Sequence, residues 1–282
     1  MTNRMGTWEG GASVDSDPRR RFAEELKSAR ELYPERRLTQ TDTARLARTS
    51  KSTVSRLESG EGPIPPELPA VLDQIFKTDG LFKQLYEEAV AQSFPAMHRR
   101  RMKLERKAIA IWEWSQHVVP GLLQTSDYAR AILCKGDPRA SEAEITKAVR
   151  ARLTRQDILR GAAPPEVRVV LCESVLHRHL GHRDVMRGQL SALLTHMEHP
   201  TIGIRVLPLD AEAHLMITSS ASFLTAPSHM TVVCVEAYRS SEIIEDLEHV
   251  RAAQRAFEDL MGEALPARRS ADLIRQQMEK LT

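Results

Sequence analysis

The stretch Leu38-Thr39-Gln40-Thr41-Asp42-Thr43-Ala44-Arg45-Leu46-Ala47-Arg48-Thr49-Ser50-Lys51-Ser52-Thr53-Val54-Ser55-Arg56-Leu57-Glu58 decides how this chain is read. Thr39 is a good helix N-cap, and Asp42 three residues on supplies a capping box with Asp in place of Glu. Ser50 is a second N-cap, so two short helices are expected, joined only by Arg48, Thr49 and Ser50. Ala44 and Ala47 are small enough to let the helices cross closely. In the second helix Val54 and Leu57 stand three apart and face inward. Lys51 with Ser55, and Ser52 with Arg56, are i, i+4 pairs on the opposite, outward face. Cations and short hydroxyls on an exposed helix face are what a major-groove reader needs. Arg or Lys pairs with guanine O6 and N7, and Ser or Thr accepts several partners. Thr53 is counted with them as a DNA-contacting candidate.

Outward from this stretch, residues 19–92 keep helical spacing throughout. Phe22, Leu26 and Ala29 form one stripe, Leu68, Val71, Leu72, Ile75 and Phe76 another, and Leu81, Phe82, Leu85 and Tyr86 a third. With the two central helices this describes an all-α domain of five short helices. Charge is polarised within it. Residues 19–60 carry eleven Lys/Arg against six Asp/Glu, a net +5, whereas residues 61–94 carry two Lys against six acids, a net −4. Such a field steers phosphate toward one face while the whole chain stays at +2.

The motif resembles the helix-turn-helix domains of the phage-repressor, xenobiotic-response-element type, in register from Leu38-Thr39-Gln40 to Ser55-Arg56-Leu57-Glu58-Ser59-Gly60, and the likeness spans about residues 22–90. It implies that Gln40 and the helix start behind Thr39 hold a phosphate. Lys51, Ser52, Ser55 and Arg56 would face the groove, and Arg30 would pair with Glu58. Two departures stand out. Thr43 occupies a position where Leu is usual, and Arg48 one where the turn carries Gly. Tyr33-Pro34-Glu35 reads as an insertion before Leu38.

At 282 residues two domains are expected. Residues 1–18 read as a disordered leader, 19–92 as the DNA-binding domain, 93–103 as a basic linker, and 104–282 as an α/β (α+β) domain with a small mixed sheet. The basic run is Arg99, Arg100, Arg101, Lys103, Arg106 and Lys107, against Glu105 alone. Beyond it helices are expected at about 104–115, 125–134, 141–160, 173–180, 183–198, 241–262 and 268–281. Strands are expected near 167–171, 202–207, 217–225 and 231–235. Four strings here, Val119-Pro120-Gly121-Leu122-Leu123-Gln124-Thr125 with Tyr128-Ala129-Arg130, Arg152-x-x-Arg155-Gln156-x-Ile158-Leu159, Gln189-Leu190-x-x-Leu193 and Val206-Leu207-Pro208, resemble a group of actinobacterial regulators of the WhiJ type. That resemblance implies transcriptional control, with a protein or small-molecule input at a C-terminal domain of poorly defined function. Some such proteins are antitoxin-like and sequester a small neighbour-encoded partner.

Other residues are read two ways. Arg152, Arg155 and Gln156 either bind an anion or pair with carboxylates such as Glu173 or Glu236. Trp112 and Trp114, on a helix, diverge by about 200°, so one is either core or a partner's anchor. His177, His179, His182, His196 and His199 lack metal-ligand spacing and read as solvated. Cys134, Cys172 and Cys234 are far apart without a CxxC pair and read as buried apolar residues. No GxSxG, GxxxxGK[ST], GxGxxG or HExxH string occurs, so no catalytic residue, cofactor or metal is assigned. No apolar run reaches a bilayer's span, no signal peptide is seen, and a cytoplasmic protein is expected. The expected partners are double-stranded DNA, a second copy of the chain on an inverted repeat with half-sites about one helical turn apart, and a small protein at the C-terminal domain.

Overall fold

The computed structural model describes residues 17–34, 36–92, 96–212, 214–237 and 240–281. The chain divides into two compact units, Met1–Val90 and Ala91–Thr282. The leader assigned to residues 1–18 lies almost wholly outside the described residues. Its end is helical: Asp17 caps α1 (Pro18–Glu31), and Pro18 sits at the first helical position, where a missing N–H costs nothing.

The first unit is helical: α1, α2 (Gln40–Leu46), α3 (Lys51–Glu58), α4 (Leu68–Phe76) and α5 (Leu81–Gln92). Its core gathers Phe22, Leu26, Ala47, Leu57, Leu68, Leu72, Phe82 and Leu85, the stripes the sequence spacing predicts. Both expected caps form. Thr39 and Asp42 make the full reciprocal box on α2, and the Ser50 side chain accepts from Thr53 N–H at 3.0 Å.

The departures have visible consequences. Arg48 takes φ +48°, the left-handed conformation that glycine adopts without strain. The turn closes all the same, Thr49 N–H reaching Ala44 C=O at 2.8 Å, as in a Schellman-type helix end. Thr43 is fully buried and its Oγ1 has no hydrogen-bond partner. A buried hydroxyl without a partner carries its desolvation penalty uncompensated. Thr43→Val keeps the shape and removes the hydroxyl, so it is expected to raise the unfolding free energy of this domain by about 1 kcal/mol, read from its urea midpoint.

The second unit is a six-stranded mixed sheet of order β3-β2-β1-β4-β5-β6. β1 (Ala110–Ser115), β2 (Glu166–Cys172) and β3 (Ile202–Leu207) run parallel. β4 (Ala221–Thr225), β5 (Thr231–Ala237) and β6 (Ser240–Ile244) continue as an antiparallel meander. Helices α6 (Ala96–Lys107), α7 (Ser126–Gly136), α8 (Glu142–Arg155), α9 (Ser174–His177), α10 (Arg183–Met197), α11 (Leu247–Glu263) and α12 (Ala267–Glu279) complete it. On one side of the sheet Ile111, Val167, Val169, Leu171, Ile204 and Val206 pack with Tyr128 of α7, Met186 and Leu190 of α10 and Ile274 of α12. On the other, Trp114, Val170, Phe223 and Val233 pack with Val250, Phe257 and Leu260 of α11. The outer edge of β3 is capped at Val206: Ser270 Oγ accepts from Val206 N–H at 3.0 Å, and Leu265 N–H donates to Val206 C=O at 2.9 Å.

Three expectations are corrected. The segment 93–103 is not a linker beyond its first residues, since α6 begins at Ala96 and buries Arg101, Met102 and Glu105; positions 93–95 lie outside the described residues. Residues 110–115 form a strand, not the end of a helix. Trp112 and Trp114 therefore share one face of the sheet, and both belong to the α11 side of the core. The alternation was masked because charged Glu113 occupies an inward position. Residues 240–244 likewise form the edge strand β6, and α11 starts only after Asp246, whose side chain accepts from His249 N–H at 3.0 Å.

Candidate functional site

In the first unit α3 turns Val54 and Leu57 inward and leaves Lys51, Ser52 and Arg56 exposed, with Ser55 and Thr53 half-buried. The Ser52 and Thr53 hydroxyls both lie 2.8 Å from Ser50 Oγ, so they are ordered by the cap. Arg56 Nε lies 3.4 Å from Ser52 C=O, and Arg56 makes no ion pair among the described residues. The nearby carboxylates are engaged elsewhere. Glu58 takes Arg30 in a two-point pair, Nε at 2.6 Å and Nη2 at 3.1 Å, as expected, and also accepts from Gln40 Nε2 at 2.9 Å. Glu58 holds the Arg30 guanidinium charged, above its ordinary range, against the burial that works the other way. Asp42 is bonded by Thr39 and faces Arg36 and Arg45, and its pKa falls to about 2, chiefly through the Thr39 hydrogen bonds. Beside α3 an open depression of about 560 Å³ is lined by Arg37, Thr39, Gln40, Thr41 and Lys51. Arg37 was not among the sequence candidates. It follows the insertion, where spacing gives no guide to direction.

The second unit has a polar layer inside it, and three of the four motif strings meet there. Gln124 donates from Nε2 to Val119 C=O at 2.6 Å and accepts from Arg152 Nη1 at 3.0 Å. Gln156 donates to the carbonyls of Gly121 and Gln124, at 3.2 and 2.7 Å. Gln189, fully buried, accepts from Thr125 N–H at 2.7 Å and donates to Leu123 C=O at 2.8 Å. A Cβ on Gly121 would stand 3.1 Å from Arg155 Nη1, so that glycine allows the guanidinium to lie on the turn. Arg155 forks onto Glu105, at 2.8 and 2.7 Å, a carboxylate other than the two expected. Arg101 donates to Ser222 Oγ at 3.0 Å and faces Glu105, Glu113 and Glu236 at 3.5, 3.7 and 3.6 Å. Those carboxylates outweigh the burial that opposes its charge. The signal for Glu105 was present in the sequence, as a lone acid in a basic run, four residues after Arg101.

Burial pushes the Glu113 carboxyl up to about 7, with Glu105 adding to the effect and Arg101 opposing it. A raised folded pKa means that the folded domain holds a proton the unfolded chain releases at 4.5. Its stabilisation is therefore complete below about 4.5 and is lost as pH rises through about 7. The urea midpoint of the C-terminal domain is expected to fall between about pH 5 and about pH 8, and to fall less in Glu113→Gln, which keeps the neutral shape. Equal slopes in the two proteins would rule the assignment out.

The histidines and cysteines fall apart spatially. His177 Nε2 lies 3.2 Å from Glu173, and no group of three or more His, Cys, Asp or Glu able to hold a metal ion occurs among the described residues. Cys234 is buried, Cys172 half-buried and Cys134 exposed, so Cys134 departs from the expectation because it lies on the outer side of α7. No helix among the described residues is long and apolar enough to cross a membrane.

Comparison with known families gives two matches: residues 21–81 match a helix-turn-helix domain, and residues 98–276 match a domain of unknown function, DUF5753. No curated protein and no solved structure matches the chain. The first match covers α1 to α4 with the paired caps and the charged face of α3, the architecture of DNA-binding regulators, and the second takes in the mixed sheet and its polar layer. With most of its length matched by the second, this chain belongs to the DUF5753 family and carries a helix-turn-helix domain ahead of it.

Proposed function

We propose that the protein is a sequence-specific transcriptional regulator of the actinobacterial, WhiJ-like kind, cytoplasmic and without catalytic activity of its own. In this reading α3 enters the major groove. Lys51, Ser52, Ser55 and Arg56 read bases with Thr53 at the flank, while Gln40 and Arg37 hold backbone phosphates and set the register. A dimer spans an inverted repeat, and the C-terminal domain receives a protein or small-molecule signal. The observation that carries the reading is the division of charge around α3. Glu58 and Asp42 are spent on internal pairs, whereas Lys51, Ser52 and Arg56 stand exposed. Fluorescence anisotropy on the protein's own upstream DNA, beside a scrambled duplex and at two salt concentrations, tests it. Tight, salt-sensitive binding confined to the upstream fragment is expected. Equal weak binding to both duplexes would remove sequence reading from the proposal.

A second reading, an antitoxin-like module that sequesters a small neighbour-encoded protein, draws on the loop between β3 and β4. Leu209, Leu215 and Ile217 project from it, Leu215 at 85% exposure, although Trp114 Nε1 anchors the loop at Met216 C=O. Co-expression of the full chain with the product of the adjacent gene is expected to give a stoichiometric complex under this reading and free protein under the first.

A further inference from the structure

In the polar layer of the C-terminal domain the buried charges face one another, Arg101 Nε without a hydrogen bond but 3.6 Å from Glu236, and one guanidinium lacks an ion pair among the described residues. Glu105 is taken by Arg155 and Arg101, and Glu113 and Glu236 both face Arg101. Arg152 lies one turn before Arg155 on α8, close enough to feel the charges of Arg101, Arg155 and Glu236. Its guanidinium nevertheless makes one hydrogen bond, to Gln124 Oε1 at 3.0 Å, and no ion pair among the described residues. Burial, helped by the charge of Arg155, lowers its pKa to about 10. A guanidinium carries five N–H donors in a planar fork, so most of this fork is uncommitted.

The fork is also held still. Gln124 is buried, its Nε2 bound to Val119 C=O and its own carbonyl bound by Gln156. Arg152 itself is half-buried rather than sealed, which leaves a path to solvent. A fixed, partly desolvated guanidinium with a free planar edge is complementary to a two-oxygen anion, carboxylate or phosphate. An unpaired cation in such a place works against folding, and an arriving anion removes that disadvantage.

We propose that Arg152, positioned by Gln124, anchors a binding site for a small oxyanion ligand, a free carboxylate or phosphate compound. The proposal deepens the reading of this domain as a signal receiver, and depends on that reading only for the consequence at DNA.

The test uses the full chain and follows its melting temperature against sodium phosphate and sodium succinate, with sodium chloride at matched ionic strength. A saturable rise of a few degrees with at least one oxyanion and none with chloride is expected, and whichever anion responds identifies the headgroup. Arg152→Met is expected to lose the response while melting, without anion, no lower than the wild type. Arg152→Lys keeps the charge without the fork, and is expected to need at least about tenfold more anion. No response in the wild type, or a wild-type response in Arg152→Met or Arg152→Lys, overturns the site. An Arg152→Met protein that melts well below the wild type, alongside an Arg152→Lys protein that responds normally, makes Arg152 structural and overturns it too. Anisotropy on the upstream duplex with and without the responding anion is read separately. Unchanged DNA affinity would retire the signalling role and leave the binding site standing.

Discussion

Replacing Glu105 with Gln is expected to cost the C-terminal domain about 3–5 kcal/mol of stability. Glu105 is 1% exposed and stands between two guanidinium groups, forked by Arg155 and approached by Arg101 at 3.5 Å. The amide removes the charge that both arginines were buried against and turns one acceptor oxygen into a donor. Breaking a buried pair costs far more than the pair contributes, because the surviving charge has no water to return to. Glu113, relieved of the repulsion from Glu105, ionises more readily and offsets part of the loss at Arg101. Urea unfolding followed by the fluorescence of Trp112 and Trp114, both in this domain, measures the effect. A loss below about 1 kcal/mol would mean that the pair is solvated in practice. The double variant Glu105→Leu, Arg155→Met is expected to recover much of the difference, since an apolar replacement leaves no orphan charge.

The second large effect is expected at the DNA. Arg56→Ala should weaken binding to the specific site by about 1–3 kcal/mol, roughly 5- to 150-fold, and binding to random DNA hardly at all. The side chain is exposed, its one side-chain hydrogen bond among the described residues goes from Nε to the Ser52 carbonyl at 3.4 Å, and beside Gly62 it has no carboxylate partner among them. Removing it therefore costs the fold little, and the loss reports on the groove. Anisotropy with matched specific and scrambled duplexes separates the outcomes. Equal losses on both would assign Arg56 to a phosphate, with a shallower salt slope as the accompanying sign.

How much of this was legible beforehand depends on whether the deciding signal was local. The caps at Thr39 and Ser50, the stripe through Leu68 and Leu72, and the outward set on α3 all follow from spacing within a few residues. So does the Arg30 to Glu58 tie, once the register of the motif is known. Strand β3 lies at Ile202–Leu207 as its β-branched run predicts. The failures lie where tertiary partners overrule local pattern. Glu113 breaks the apolar alternation of β1 because Arg101 waits above it, and the basic run of α6 reads as a solvated linker because its anions come from β1, β5 and one lone glutamate. The carboxylate that Arg155 forks is Glu105, on a helix whose first half reads in sequence as linker. The roles of Gln124, Gln156 and Gln189 as binders of backbone carbonyls were invisible, since an amide buried against a turn looks in sequence like any surface glutamine.

The capped edge of β3 bears on how the protein behaves when damaged. Val206 has both main-chain groups spent on Leu265 and Ser270, so at that position the parallel end of the sheet offers no template to a stranger's strand. A proteolytic nick that releases α12 would uncover that template together with the apolar surface beneath Ile274. Clipped molecules would then be the ones that seed aggregates, and the integrity of the last helix becomes a matter of solubility as much as of folding.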